Sequence, residues 1–80
     1  MDIIAEITKA AKGENTVIIY YMSRDGSTSQ RETEPYEIRN GSYFGYCLES
    51  DGIRNFKIDK IGKATPTSNK FVPRWPIQIS

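Results

Sequence analysis

Residues 43–61 carry two kinds of pattern in succession. Tyr43-Phe44-Gly45-Tyr46-Cys47-Leu48-Glu49 is an aromatic, β-prone run of the sort that suits a half-buried pleated surface. Ser50-Asp51-Gly52 reads as a turn, with Gly52 placed to take a positive φ. The chain then alternates. Phe56 and Ile58 fall on one side of a strand, and Asn55, Lys57 and Asp59 on the other. The two runs, 43–49 and 53–58, predict an antiparallel hairpin with one apolar and one charged face.

Earlier segments extend the pattern. Asp2 can cap a helix and Gly13 can end it; Ile3, Ile7, Ala10 and Ala11 share a face between them. A helix over residues 2–13 is too short to stand alone, so it must pack on a sheet. Val17 to Met22 is apolar on both faces, which predicts a central strand over 16–23. Arg24-Asp25-Gly26-Ser27 reads as a hairpin turn. Residues 28–33 read as a polar, exposed strand, and Pro35 as a bend. Residues 36–39 resume a strand, and Asn40-Gly41 is a type I′ signal. Pro66, Pro73 and Pro76 predict an irregular tail over 62–80. Phe71, Val72, Trp75, Ile77 and Ile79 make that tail too apolar for disorder. It reads as a final strand or as an arm covering an open end. One short helix and about five short strands over 16–61 predict a small, strongly bent β-barrel, a single domain over 1–80.

Composition narrows the chemistry. A chain of 80 residues buries only about 60% of its unfolded surface, so the core is thin. There is no His and one Cys, which excludes an internal disulfide and a Cys/His metal set. No apolar run is long enough to cross a bilayer and no basic leader is visible, so a reducing cytoplasm is the simplest compartment. Without His, and with no Gly-rich phosphate loop, no enzyme and no cofactor are expected. Glu32 and Glu34 share a strand face and read as solvated side chains rather than an acid–base pair. Cys47 reads as a small buried residue rather than a reactive thiol.

Charge is unevenly spread. Residues 1–52 hold five basic and nine acidic side chains, whereas residues 53–80 hold six basic and one acidic. The basic end either attracts anions or is simply a dispersed, solvated surface. Arg54, Lys57 and Lys60 lie within one strand and its exit, with Arg31 on a neighbouring strand. Tyr20, Tyr21, Tyr43 and Tyr46 add aromatic surface. Cations beside aromatic rings suit a single-stranded nucleic acid, where phosphates meet charge and bases stack. The plainer readings are a rim ion pair from Arg54 to Asp51 or Glu49, and tyrosines packed in the core with satisfied hydroxyls.

Gly45-Tyr46-Cys47, followed by Arg54-Asn-Phe56-Lys57-Ile58-Asp59-Lys60-Ile61, resembles the end of the WYL domain of bacterial regulators, whose usual ending is Arg-x-Phe-Arg-Leu-Asp-Arg-Ile. Ile19-Tyr20-Tyr21-Met22-Ser23, Gly26 and Arg31-Glu32-Thr33-Glu34-Pro35 resemble its first two strands, and residues 3–13 its preceding helix. The resemblance implies an Sm-like, SH3-type barrel and a site for nucleic acid or a nucleotide-like effector. Carried over by position, that site comprises Ser23, Arg31, Arg54, Lys57 and Lys60, with Tyr46. The Trp-Tyr-Leu tripeptide is replaced by Gly41-Ser42-Tyr43, or, one residue on, Tyr43-Phe44 stands for Tyr-Leu. The His often found after Tyr-Cys is Leu48, and two family arginines are Lys57 and Lys60, which lack the bidentate fork. No stretch resembles the helix-turn-helix to which WYL modules are commonly attached, so a stand-alone module is expected.

Two functions follow. The first is a non-enzymatic regulatory module binding single-stranded nucleic acid or a nucleotide-like anion. The alternative is a protein-interaction module that docks on a larger partner or forms a homo-oligomer through a sheet edge and the tail, with Phe71 and Trp75 at the interface.

Overall fold

A computed structural model describes residues 2–79. Helix α1 (Ile3–Lys12) starts where expected, with the Asp2 carboxylate accepting from the Ala5 N–H at 3.2 Å. Ile7, Ala10 and Ala11 form its buried stripe. Five strands follow: β1 (Asn15–Met22), β2 (Thr28–Arg39), β3 (Ser42–Cys47), β4 (Gly52–Lys57) and β5 (Ile61–Lys70), with a 3₁₀ turn over Ile58–Lys60. They form one antiparallel sheet in the order β4-β3-β2-β1-β5. No helix among the described residues is long and apolar enough to cross a membrane.

The β3–β4 hairpin has the expected polarity. Tyr43 pairs with Phe56, which is buried, while Lys57 is exposed. Asn40 and Gly41 both have positive φ, 52° and 75°, so the β2–β3 turn is the two-residue type that the Asn-Gly pair favours. At the β3–β4 turn it is Asp51, with φ 55°, that takes the left-handed conformation, not Gly52. Asp tolerates that region because its short side chain can bond locally.

One expectation about strands is corrected: residues 28–39 form one long strand, not two, and a bulge between Pro35 and Glu37 absorbs the proline. The apolar β1 is an interior strand, paired on both sides by β2 and β5. Of the two roles read for the tail, the start of it takes the first: Ile61–Lys70 is the final strand, β5, paired with β1. As an edge strand β5 tolerates Pro66, whose missing N–H costs a ladder bond only in a sheet interior.

Directly opposed residues of antiparallel strands share a face. On the inner face, Val17, Ile19, Tyr43, Phe56, Ile61 and Ala64 pack with Ile7 and Ala10 of the helix. Tyr43 is fully buried. Its hydroxyl lies 2.7 Å from Thr33 Oγ1, which donates to the Val17 carbonyl at 3.0 Å. Since the Thr33 proton is committed to Val17, Tyr43 is the donor in that pair. The Tyr43 ring stacks on Phe56, with centroids 6.0 Å apart, and lies over bare Gly45. Tyr21 of β1 also reaches Phe56 of β4, at 5.3 Å, although two strands separate them in the sheet. The sheet is therefore strongly bent. It is not closed: β4 and β5 remain its two edges, where a barrel had been expected.

A Cβ on Gly45 would stand 2.6 Å from the Tyr43 hydroxyl oxygen and 2.7 Å from Cζ. Gly45→Ala is expected to destabilise the domain by about 1–3 kcal/mol in urea unfolding, through overpacking of a rigid ring. In a Tyr43→Leu background the same change should cost much less, because the ring is gone. Equal costs in both backgrounds would show that the ring does not set the constraint.

Candidate functional site

Phe71 and Trp75 of the tail lie against the outer face of the sheet, Gln78 bridges to β2, and Ile79 turns to the inner core. Phe71 packs on Tyr36 with ring centroids 5.8 Å apart, and Trp75 on Tyr36 at 5.2 Å and on Tyr46 at 6.2 Å. The tail is pinned by backbone bonding: the Gln78 N–H donates to the Tyr36 carbonyl at 2.7 Å, and Gln78 bridges to Glu37. Phe71 is buried, whereas Trp75 remains 47% exposed. The two residues assigned to a partner interface thus lie against this chain's own sheet.

Beneath the tail is a closed polar network. Glu34 is only 4% exposed, which corrects its reading as a solvated carboxylate. It accepts from the Tyr36 hydroxyl at 2.7 Å and from Arg74 Nε at 3.1 Å, and Tyr36 in turn accepts from the Arg74 N–H at 2.9 Å. The Arg74 guanidinium sits over the Tyr46 ring, 4.0 Å from its centroid. The Tyr46 hydroxyl donates to Asp51. Burial, followed by the Glu34 bond, pushes the Tyr36 hydroxyl up to about 12, so it stays protonated and can donate. Glu32 lies nearby, half-buried. It accepts from Thr16 at 2.7 Å and Asn69 at 2.9 Å, and these bonds hold its carboxyl below the usual range.

Farther along the outer face, the register lines up two rows. Glu37, Phe44 and Asn55 are directly opposed across β2, β3 and β4, and so are Arg39, Ser42 and Lys57. Tyr36, Glu37, Phe44, Ile53, Trp75, Pro76 and Gln78 line a cavity of about 360 Å³. Ser42 and Lys57 help line a second, of about 420 Å³, beside the Asn40-Gly41 turn and Asp59.

The sequence-predicted site residues are distributed over both faces. Lys57 and Tyr46 lie on the outer face, one on each of two paired strands. Arg54, opposite Gly45, has inner-face parity and is exposed. Arg31 is opposite Ile19 on the inner-face side and pairs with Glu49. Ser23 starts the β1–β2 turn, its N–H donating to the Ser27 carbonyl at 2.7 Å, and Lys60 is exposed in the 3₁₀ turn. Arg54 has neither rim partner considered for it, because Glu49 takes Arg31 and Asp51 takes Tyr46. Sequence reasoning missed Arg39, Ser42 and Phe44. The signal was present, since a two-residue Asn-Gly loop forces residues 39 and 42 opposite each other.

In comparison with known proteins, residues 2–66 of the chain match the family model of the WYL domain. The chain belongs to the WYL domain family. Among solved structures, proteasome accessory factor B/C (PafBC) of Arthrobacter aurescens is similar, with a TM-score of 0.72 at 20% identity. The similarity covers 90% of this chain and 13% of that one, so the WYL domain spans a small part of the longer protein. No curated protein matches. At the place of the family tripeptide, this WYL domain has Gly41 closing a tight turn and Ser42 beside Lys57. The tail with Arg74 and Trp75 lies beyond the matched residues.

The network predicts coupling. Arg74→Ala should lower the melting temperature, since it leaves the Glu34 carboxylate buried with less compensation. Glu34→Gln should blunt that loss in a double-mutant cycle, whereas additive losses would show that the two residues act independently. Glu32 predicts a pH effect. Its folded value is lowered, so its contribution is present above its unfolded value near 4.5 and is lost as pH falls through the folded value. Urea midpoints for Glu32→Gln should accordingly show a weaker acid-side decline than wild type.

Proposed function

We propose that this WYL domain is a non-enzymatic, cytoplasmic regulatory module that binds single-stranded nucleic acid or a nucleotide-like anion, using a partly open form of the Sm-like, SH3-type barrel. One observation carries the reading: the cations divide into engaged and unengaged sets. Arg31, Arg39 and Arg74 are held by Glu49, Glu37 and Glu34, and Lys70 by the Gly13 carbonyl. Lys63 lies over the Tyr20 ring. Arg54, Lys57 and Lys60 are exposed and make no ion pair among the described residues; Lys9, Lys12 and Arg24 are likewise exposed and unpaired, but only the first three follow one another along a single strand and its exit. These three are also the basic residues that match the family's ending. Unpaired cations on β4 and its exit raise the local potential for an anion, and no internal carboxylate has to be displaced first. Ser23, Arg31 and Tyr46 belong to the same family-derived set, but the Arg31 guanidinium and the Tyr46 hydroxyl are already bonded within the domain, and Ser23 is held in the β1–β2 turn through its backbone. They make the outer ring of such a site rather than its anchor.

A second reading has its own support. Trp75 is half exposed beside Ile53, next to the unpaired edge of β4, and an edge with an adjoining apolar pocket suits an added strand from a protein partner.

If about three phosphates are neutralised, log affinity for a labelled oligonucleotide should fall against log salt with a slope of about −2, from roughly −0.7 per phosphate. Replacing Arg54 and Lys57 together by Ala should weaken anisotropy-measured binding and flatten that slope. The melting temperature should barely move, because exposed charges contribute less than about 1 kcal/mol. Equal affinity of wild type and double variant, or binding indifferent to salt, would favour the interaction reading.

A further inference from the structure

We infer that the outer face holds a nucleotide subsite, with a base seated in the cavity between Trp75, Phe44 and Tyr36 and its phosphate on the Arg39–Ser42–Lys57 row. The inference rests on the proposed binding of a nucleic-acid-like anion and places it where the matched family residues alone do not.

The cavity has the chemistry of a base pocket. Its volume of about 360 Å³ falls within the range of small-ligand sites, and three of its seven lining residues are aromatic. Trp75 is exposed enough to be stacked on. Glu37 and Gln78 also line it, and both residue types carry groups able to meet the hydrogen-bonding edge of a base. The tail backbone is held by the Gln78 bond to Tyr36, so the wall bearing Trp75 and Pro76 is fixed before a ligand arrives.

The phosphate row lies one same-face step along the strands. Phe44 and Asn55 are followed two residues on by Ser42 and Lys57, a shift of about 7 Å along a strand. That is a reach comparable to the separation of base and phosphate in a nucleotide. Ser42 offers a hydroxyl donor between two cations, Arg39 on β2 and Lys57 on β4. Arg39 also lies over the Phe44 ring, 5.4 Å from its centroid, so it joins the two parts of the subsite. Its pairing with Glu37, at 3.4 Å, is long and the Arg39 end is exposed, although Glu37 is half-buried, and a phosphate can compete for the guanidinium. Asp59 at the edge of the second cavity opposes binding there, which limits the site to one or two phosphates. Glu37 in the first cavity and Asp59 in the second offset the two cations overall, so it is the placement of Arg39 and Lys57 on either side of the Ser42 hydroxyl, not the net charge, that suits a single phosphate.

Trp75 is the sole tryptophan of the chain, so its emission reports on the pocket directly. The test titrates wild type with a short oligothymidylate and, separately, with inorganic polyphosphate, following Trp75 emission and competition against a labelled oligonucleotide. The oligonucleotide should change the emission saturably, at the same midpoint as anisotropy, and polyphosphate should not. Phe44→Leu should weaken oligonucleotide binding about five- to a hundredfold, the usual worth of one stacked base. Ser42→Asp, at an accessible hairpin position, should abolish binding by setting a carboxylate between the two cations while the domain stays folded by circular dichroism. Lys9→Ala, a charge-matched change on the helix, should have no effect. If the oligonucleotide binds but Trp75 emission is unchanged and both outer-face variants bind like wild type, the subsite is overturned while the broader reading stands. If polyphosphate alters the emission and competes equally well, no base is being read and the inference fails. If wild type binds neither probe, both fall together.

Discussion

The Tyr43 ring is the constraint on which the rest depends. It is a large aromatic side chain on β3, fully buried, with a polar end that must be satisfied away from water. The solution ties several strands together. The hydroxyl donates to Thr33 of β2, Thr33 donates to the β1 backbone, and the ring stacks on Phe56 of β4. A slip of one residue between β3 and either neighbour would turn Tyr43 outward and break each of these contacts at once. Gly45 is part of the same arrangement, because only a position without a side chain lets the ring lie flat along its own strand. Once the register is locked on the inner face it is locked on the outer face too. The alignment of Phe44 with Asn55, and of Ser42 with Lys57, is thus a by-product of burying a tyrosine.

The outer face is organised by a different economy of charge. Glu34 lies under the tail and is balanced by Arg74, which also caps the Tyr46 ring. Through these bonds a segment with little regular structure acquires a fixed path over the sheet. That path gives the pocket its second wall. A WYL fold ending at the matched residues would present Phe44 and Tyr36 on an open sheet; here the tail folds back and turns that surface into a cavity.

Local features were the legible ones. The Asp2 cap, the Gly13 stop, the Asn40-Gly41 turn and the burial of Phe56 each depend on a few neighbouring residues, so the sequence carried them plainly. β5 was legible only in part. It is an edge strand that buries little beyond Ile61 and Ala64, and its Thr, Ser, Asn and Pro residues mimic a loop. Glu34 was misread because its partner is 40 positions away in the chain. The basic cluster was legible as composition but not as a surface. Arg54 and Lys57 are three residues apart in a strand, which puts them on opposite faces. Arg39 and Lys57, distant in sequence, share one face because two tight turns fold their strands together.

The open sheet leaves two unlike edges. On β5, Pro66 interrupts the row of backbone donors that a foreign strand would use. β4 has no proline, and its defence is electrostatic: Arg54 projects to one side and Lys57 to the other, so two copies approaching edge to edge bring like charges together from both faces. That defence depends on ionic conditions, whereas the proline's does not. Any polyanion that neutralises β4 also lowers the barrier to strand-to-strand coalescence there. If Arg54 and Lys57 bind the proposed anion, colloidal behaviour and occupancy are coupled through the same two side chains, and the domain is best dispersed when they are bare.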